Sequence, residues 1–198
     1  MDWETRYRTG ETPWEKGAPA PPLLEWIRIR GALRGPILVP GCGTGHDVRA
    51  IAAASPDAEV LGLDIAPSAI ERARQVPTVG KEQYRLGNLF DPPSELANRF
   101  EWVFEHTCFC AVNPEHRPEY VRAVARTLSG EGRLLAVFFL NPWDPGEEPE
   151  GGGPPFGTTK EELDRLFESD FVLVEELQPH SAYPGREGRE IVRLLRRK

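Results

Sequence analysis

The stretch Val39-Pro40-Gly41-Cys42-Gly43-Thr44-Gly45 decides how this chain folds. It ends a short apolar run, Ile37-Leu38-Val39, and precedes a segment over 48–54 that reads as a helix. Glycines between a strand and a helix let the backbone turn tightly and approach a ligand closely. At the carboxyl edge of a parallel sheet, such a turn marks the ligand crevice. Three ligand classes compete for it. A nucleotide phosphate loop needs G-x-x-x-x-G-K-[ST], and no Lys follows this turn. A dinucleotide fingerprint needs G-x-G-x-x-G; Gly41 and Gly43 fit, but position 46 is His. The pattern is instead G-x-G-x-G. Asp64 closes the next apolar run, 64 − 43 = 21 residues on. A carboxylate there accepts hydrogen bonds from both hydroxyls of a ribose. The combination is the one expected for S-adenosylmethionine (SAM), which has a ribose and an adenine but no pyrophosphate. A plain strand-to-helix turn without a ligand is the alternative.

Outward from this turn, strands and helices alternate. Strands are expected over 37–39, 59–63, 84–88, 101–105, 133–140, 171–177 and 190–196, the last two as a hairpin with a long loop. Helices are expected over 23–29, 48–54, 68–74, 119–128 and 160–167. The helix over 119–128 places its apolar residues at 121, 124, 125 and 128 and should stop at Ser129-Gly130. Such alternation predicts βαβ units, hence an α/β fold with a mostly parallel sheet. Residues 1–22 hold Trp3, Tyr7 and Trp14 among four prolines. Disordered tails lack such aromatics, so this segment reads as an ordered cover. The segment 141–159, with Trp143, Gly151-Gly152-Gly153 and Pro154-Pro155-Phe156, is long for a compact domain and reads as a lid.

Composition narrows the field further. A chain of 198 residues suits one domain. Its 19 Gly and 20 Pro fall short of a disordered composition, and 39% hydrophobic residues suffice for a core. The net charge of −7 argues against a nucleic-acid or anionic-membrane partner, which needs a positive field. The basic run Arg193, Arg196, Arg197, Lys198 reads as a solvated strand and tail. No apolar run approaches the ~18 residues that span a bilayer. Met1-Asp2-Trp3-Glu4 has neither the basic nor the apolar part of a signal peptide. Three cysteines form no disulfide framework, and Cys108-x-Cys110 lacks the second pair that a metal site would need. A reduced, cytoplasmic protein is expected, with no metal.

Several separated motifs resemble one family, the thiopurine methyltransferase superfamily. They are Pro13-Trp14-Glu15, the run from Val39 to Val48 with Gly45-His46-Asp47, and Leu61-Gly62-Leu63-Asp64-Ile65. Cys108-Phe109-Cys110-Ala111-Val112-Asn113-Pro114, Gly152-Gly153-Pro154-Pro155-Phe156 and Arg186-Glu187-Gly188-Arg189-Glu190 complete the set. Within that superfamily the chain most resembles the halide and thiol methyltransferases of plants and bacteria. Pro40, where most SAM enzymes carry an acid, is a mark of this branch. The resemblance implies a class I SAM-dependent methyltransferase: a Rossmann-like, seven-stranded, mostly parallel sheet with helices on both faces. Residues 1–198 would form one such domain, with 1–30 covering the cofactor and 141–159 as lid.

The resemblance also implies residue roles. Trp3, Tyr7 and Trp14 would contact the cofactor, since aromatic faces attract a sulfonium and exclude water. Gly43 would adjoin its methionine part and Asp64 its ribose, with Gly41 also at the cofactor. Asn88 and Leu89 match the stretch that holds adenine, with Asn88 where relatives usually carry Asp. His106 stands where relatives place Tyr or Arg beside the cofactor. Phe109, Cys110, Trp143, Phe156 and Arg186 are the acceptor-site candidates. Plant halide enzymes usually carry Tyr at the position of Phe156, and its loss tilts the expectation toward thiols.

The expected reaction moves a methyl group by in-line displacement to a small soft nucleophile: a thiol, bisulfide, thiocyanate or halide. Such acceptors need no dedicated catalytic base. The rival readings are an enzyme for thiopurine-type thiols or selenium and tellurium products, and a non-catalytic SAM-binding module. An NAD-linked oxidoreductase is disfavoured by His46. Oligomeric state is not legible.

Overall fold

A computed structural model describes all 198 residues. In chain order the elements are α1 (Trp3–Thr9), α2 (Pro21–Arg30), β1 (Ile37–Pro40), α3 (His46–Ala54), β2 (Glu59–Asp64), α4 (Pro67–Gln75) and β3 (Lys81–Leu86). There follow β4 (Phe100–His106), α5 (Arg117–Thr127), β5 (Leu128–Phe139), α6 (Lys160–Phe167), β6 (Phe171–Leu177) and β7 (Glu190–Arg197). One seven-stranded sheet runs in the order β3-β2-β1-β4-β5-β7-β6. Strands β1 to β5 pair in parallel, and β7 runs antiparallel between β5 and β6.

The apolar pattern explains the layering. In a buried strand, successive side chains point to opposite faces. Leu38, Leu134, Ala136 and Phe138 join Tyr120, Val124, Leu163 and Phe167 in one core, beneath α5 and α6. Their neighbours Ile37, Val39, Leu135 and Val137 join Leu23, Val48, Ile51 and Ile70 in a second core, beneath α2, α3 and α4. Helices thus cover both faces, as expected. A smaller group of Tyr7, Ala66 and Ala69, with Trp3 and Trp14 against it, seats α1 on α4.

Chain order reverses between β1 and β4, which are neighbours in the sheet. In open α/β sheets, ligands bind outside the carboxyl ends of the strands at this switch point. The glycine turn leaves β1 there, and residues after β4 approach it from the other side.

Three details depart from the sequence expectation. The third strand is Lys81–Leu86, not 84–88. Helix α5 ends at Thr127, short of Ser129-Gly130, and β5 begins at once with the buried Leu128. Leu128 pairs with Phe100 and Arg133 with Trp102, so 129–132 form a bulge that absorbs the glycines. Finally, the N-terminal cover contains a helix, α1. Asp2 caps it through a hydrogen bond accepted from Thr5 N at 3.1 Å. No helix is long and apolar enough to cross a membrane.

Candidate active site

A cavity of about 650 Å³ opens at the switch point. Its wall includes Trp3, Tyr7, Trp14, Gly41, Gly43, Asp64, Asn88, Leu89, His106, Cys110, Trp143 and Arg186. Twelve of the fourteen residues singled out in the sequence therefore meet in one place.

The other two do not line the cavity. Phe109 is 1% exposed and packs on Tyr120, Phe138 and Phe167 at ring-centroid distances of 5.6, 5.1 and 6.1 Å. The single helical turn Phe109–Ala111 carries Cys110 to the cavity and sends Phe109 into the core. Phe156 acts through its backbone. Its N–H donates to Cys110 O at 2.7 Å, and its carbonyl accepts from Arg117 Nη2 at 3.2 Å. Its neighbours Pro154 and Pro155 line the cavity with Trp143, whose Nε1 donates to Pro155 O at 2.9 Å.

The glycine turn is shaped for close approach. Gly41 and Gly43 have φ of 59° and 54°, a region that favours glycine. A Cβ on Gly43 would stand 2.7 Å from Glu15 Oε1 and 2.9 Å from the Tyr7 hydroxyl, so a side chain there would fill the turn. Asp64 is buried at the end of β2, with Oδ2 accepting from Gly43 N at 2.8 Å and Oδ1 from Ala66 N at 2.9 Å. A carboxylate offers about four lone-pair positions, so these bonds leave room for a ribose hydroxyl. Burial pushes the Asp64 carboxyl up, against the hydrogen bonds from Ala66, Gly43 and Ile65. The glycine cradle and the open lone pairs of Asp64 fit the ribose and methionine half of SAM.

The N-terminal cover builds an aromatic wall. Trp14 stands edge-on to Trp3 and to Tyr7, with ring centroids 5.3 and 5.7 Å apart, and its Nε1 donates to the Tyr7 hydroxyl at 3.0 Å. Burial raises the Tyr7 phenol, which stays neutral. Asn88 accepts from Phe90 N through Oδ1 at 3.0 Å, and Leu89 is buried beside it.

His106 ends β4 inside a charged network that sequence reasoning missed. Its Nδ1 donates to Asp47 Oδ2 at 3.2 Å, and its Nε2 lies 3.8 Å from Glu190 Oε1. Arg186 Nη1 donates to Glu190 Oε1 at 3.2 Å. Burial of His106 opposes its charge, but Asp47 and Glu190 outweigh that and raise it to about 9. The two carboxylates favour the protonated ring, whose Nε2 also lies 3.4 Å from Arg186 Nη1. Gly45-His46-Asp47 and Arg189-Glu190 stood within quoted motifs, yet nothing local ties Asp47 to a histidine 59 residues away.

Two more features escaped the sequence reading. Thr107 lines the cavity with a φ of 60°, a strained value for a β-branched residue. Beneath it, Glu105 Oε1 accepts from Cys108 N at 3.0 Å and Phe109 N at 2.9 Å, which braces the turn. Burial pushes Glu105 up to about 7. Cys42 joins the expected Cys110 and its neighbour Cys108 in lining the cavity. Burial raises all three thiols, so they form a neutral, soft wall.

With this geometry in place, comparison with known proteins settles the family. The family model for thiopurine S-methyltransferase matches residues 1–195. The chain belongs to the thiopurine S-methyltransferase family. Among its relatives is a probable thiol methyltransferase 2 of Arabidopsis thaliana, 33% identical over 95% of this chain and 81% of the relative. Thiocyanate methyltransferase 1 of the same plant is 34% identical over the same shares. A solved Burkholderia thailandensis N1-methyltransferase, holding 1,6-didemethyltoxoflavin and S-adenosylhomocysteine, shares the fold. It matches with a TM-score of 0.73 and 17% identity over 100% of this chain and 86% of that one. This family member is a SAM-dependent methyltransferase with the class I α/β fold.

Proposed function

We propose that this methyltransferase acts on a small soft nucleophile: a thiol, bisulfide, thiocyanate or halide. One observation carries the reading. The cavity wall beyond the glycine turn combines soft and apolar groups (Cys108, Cys110, Phe139 and Trp143) with the basic side chains His106 and Arg186, which are held in place by Asp47 and Glu190. Such a wall strips water from a soft anion while the basic groups offset its charge. The thiol and thiocyanate methyltransferases among the relatives support the thiol and thiocyanate members of this set.

Bound here, SAM supplies a methyl group already activated on a sulfonium sulfur. The chain's own task is alignment, which lowers the barrier by fixing nucleophile, methyl and leaving sulfur in line. Trp3, Tyr7 and Trp14 would face the sulfonium, Gly43 with Gly41 beside it would hold the methionine chain, Asp64 the ribose, and Asn88 and Leu89 the adenine. His106 bridges the cofactor and acceptor sides, while Cys110, Trp143 and Arg186 wall the acceptor. Residues 1–30 cover the cofactor and 141–159 close as a lid on a single domain. No side chain is assigned as catalytic base, and the working compartment is the cytoplasm. The test is an acceptor panel of iodide, thiocyanate, bisulfide, a small thiol and a thiopurine, scored by release of S-adenosylhomocysteine. Faster turnover of the small acceptors is expected. Preference for the thiopurine, or SAM binding without any transfer, refutes the assignment.

A further inference from the structure

The methionine half of SAM carries an ammonium group, and a buried ammonium requires an anionic or carbonyl partner. Position 40, at the head of the glycine turn, is Pro and offers no carboxylate. Three acids line the cavity: Glu15, Asp47 and Asp64. Asp47 is engaged on both oxygens, by Ala20 N at 2.7 Å and by His106 at 3.2 Å. Asp64 holds the backbone of Gly43 and Ala66 and sits on the ribose side.

Glu15 is different. It comes from the N-terminal cover, outside the sheet, and folds onto the glycine turn. Its Oε2 accepts from Thr44 Oγ1 at 2.5 Å, and its Oε1 receives only long contacts, 3.4 Å from Thr44 N and 3.4 Å from the Tyr7 hydroxyl. The nearest cationic candidate is His46 Nε2, at 3.9 Å from Oε2. This carboxylate stands in the cavity without a close cation, beside the Gly43 backbone that adjoins the methionine part.

We propose that Glu15 is the anionic partner of the SAM ammonium group, supplying from the N-terminal cover the charge that Pro40 does not provide. The inference rests on this cavity being the SAM site. It explains why the cover carries an acid directly after Trp14. The same peptide then presents an aromatic face toward the sulfonium and a carboxylate toward the ammonium.

The test compares two nucleosides that differ by the amino-acid half. S-adenosylhomocysteine carries the ammonium; 5′-methylthioadenosine keeps adenine, ribose and sulfur but lacks it. Calorimetric titration of the full chain with Glu15→Gln should show at least a tenfold loss for S-adenosylhomocysteine. Affinity for 5′-methylthioadenosine should stay within twofold, which also shows that the variant is folded. Equal losses for both would mean that Glu15 only holds the cover in place, and no loss for either would equally overturn the proposal. Should Glu15→Gln not fold, Glu15→Asp keeps the charge but shortens its reach. That variant should weaken S-adenosylhomocysteine several-fold and spare 5′-methylthioadenosine; unchanged affinity for both refutes the role. A wild-type chain that binds neither nucleoside overturns the cofactor site itself.

Discussion

Asp64 braces the turn through its backbone hydrogen bonds and keeps a lone pair free for the proposed ribose contact. Asp64→Ala should therefore lower calorimetric SAM affinity at least about tenfold, or ~1.4 kcal/mol. Unchanged affinity would remove its ribose role. Phe109 marks where residue-level reading went astray. Cys110 and Phe109 are adjacent in a quoted motif, and only the turn at the end of β4 sends one to the cavity and the other to the core. Phe109→Ala should cost about 3–5 kcal/mol in denaturant unfolding, as large aromatic truncations in cores do. In the folded variant the acceptor KM should stay close to wild type. His106 makes a pH prediction. Its ordinary value is 6.5, and the fold raises it to about 9. Below 6.5 both folded and unfolded states hold the proton, so the whole gain is present. As pH climbs through about 9 the gain is lost. At ~1.4 kcal/mol per unit, wild type should lose on the order of 3 kcal/mol across this window. His106→Asn should lack that limb in denaturant titrations at pH 6 to 10, and parallel curves would refute the raised value.

At the scale of elements, legibility followed apolar content. The strands beneath both helix layers are rich in apolar residues and were placed within a residue or two, save that β5 begins at Leu128 rather than at 133. The edge strand β3 begins Lys81-Glu82-Gln83, a polar start without an apolar run, so its expected position came three residues late. Helix α1 reads Trp-Glu-Thr-Arg-Tyr-Arg-Thr and buries only Tyr7, so no apolar stripe announced it. The end of α5 was misread because Gly130 is a helix stop in isolation, whereas pairing of Leu128 with Phe100 draws the chain into β5 earlier. The segment 141–159 read as a lid from its aromatics and length, and of those aromatics Trp143 lines the cavity while Phe156 does not. What holds it was not legible: the buried Arg117 donates to the carbonyls of Phe156 and Gly157 at 3.2 and 3.0 Å and pairs with Glu162. If this loop serves the acceptor, Trp143→Ala should cut kcat/KM for the acceptor about tenfold, the order of one lost wall contact plus admitted water. SAM affinity should be unchanged. An equal loss in SAM affinity would place Trp143 on the cofactor side instead.

For the whole molecule, the net charge of −7 and the basic pair in the cavity are compatible because field at the site, not the sum, governs a small anion. The site is assembled from distant parts of the chain. The cover (Trp3, Tyr7, Trp14), the β1 turn, the end of β4 and the loop before β7 all reach one cavity at the switch point. A ligand that touches all of these should stabilise the fold as a unit, since binding to the native state alone adds RT ln(1 + [L]/Kd). At a hundredfold excess over Kd this is about 2.7 kcal/mol. In a chain of 150–250 residues each kcal/mol moves the melting midpoint by roughly 2–4 °C. S-adenosylhomocysteine at that excess should therefore raise the midpoint by roughly 5–10 °C, in a single cooperative transition. NAD, whose pyrophosphate finds no G-x-G-x-x-G turn here, should leave the midpoint unmoved. A shift confined to an early partial transition would mean that the cover melts apart from the sheet, and a shift with NAD would reopen the choice of cofactor.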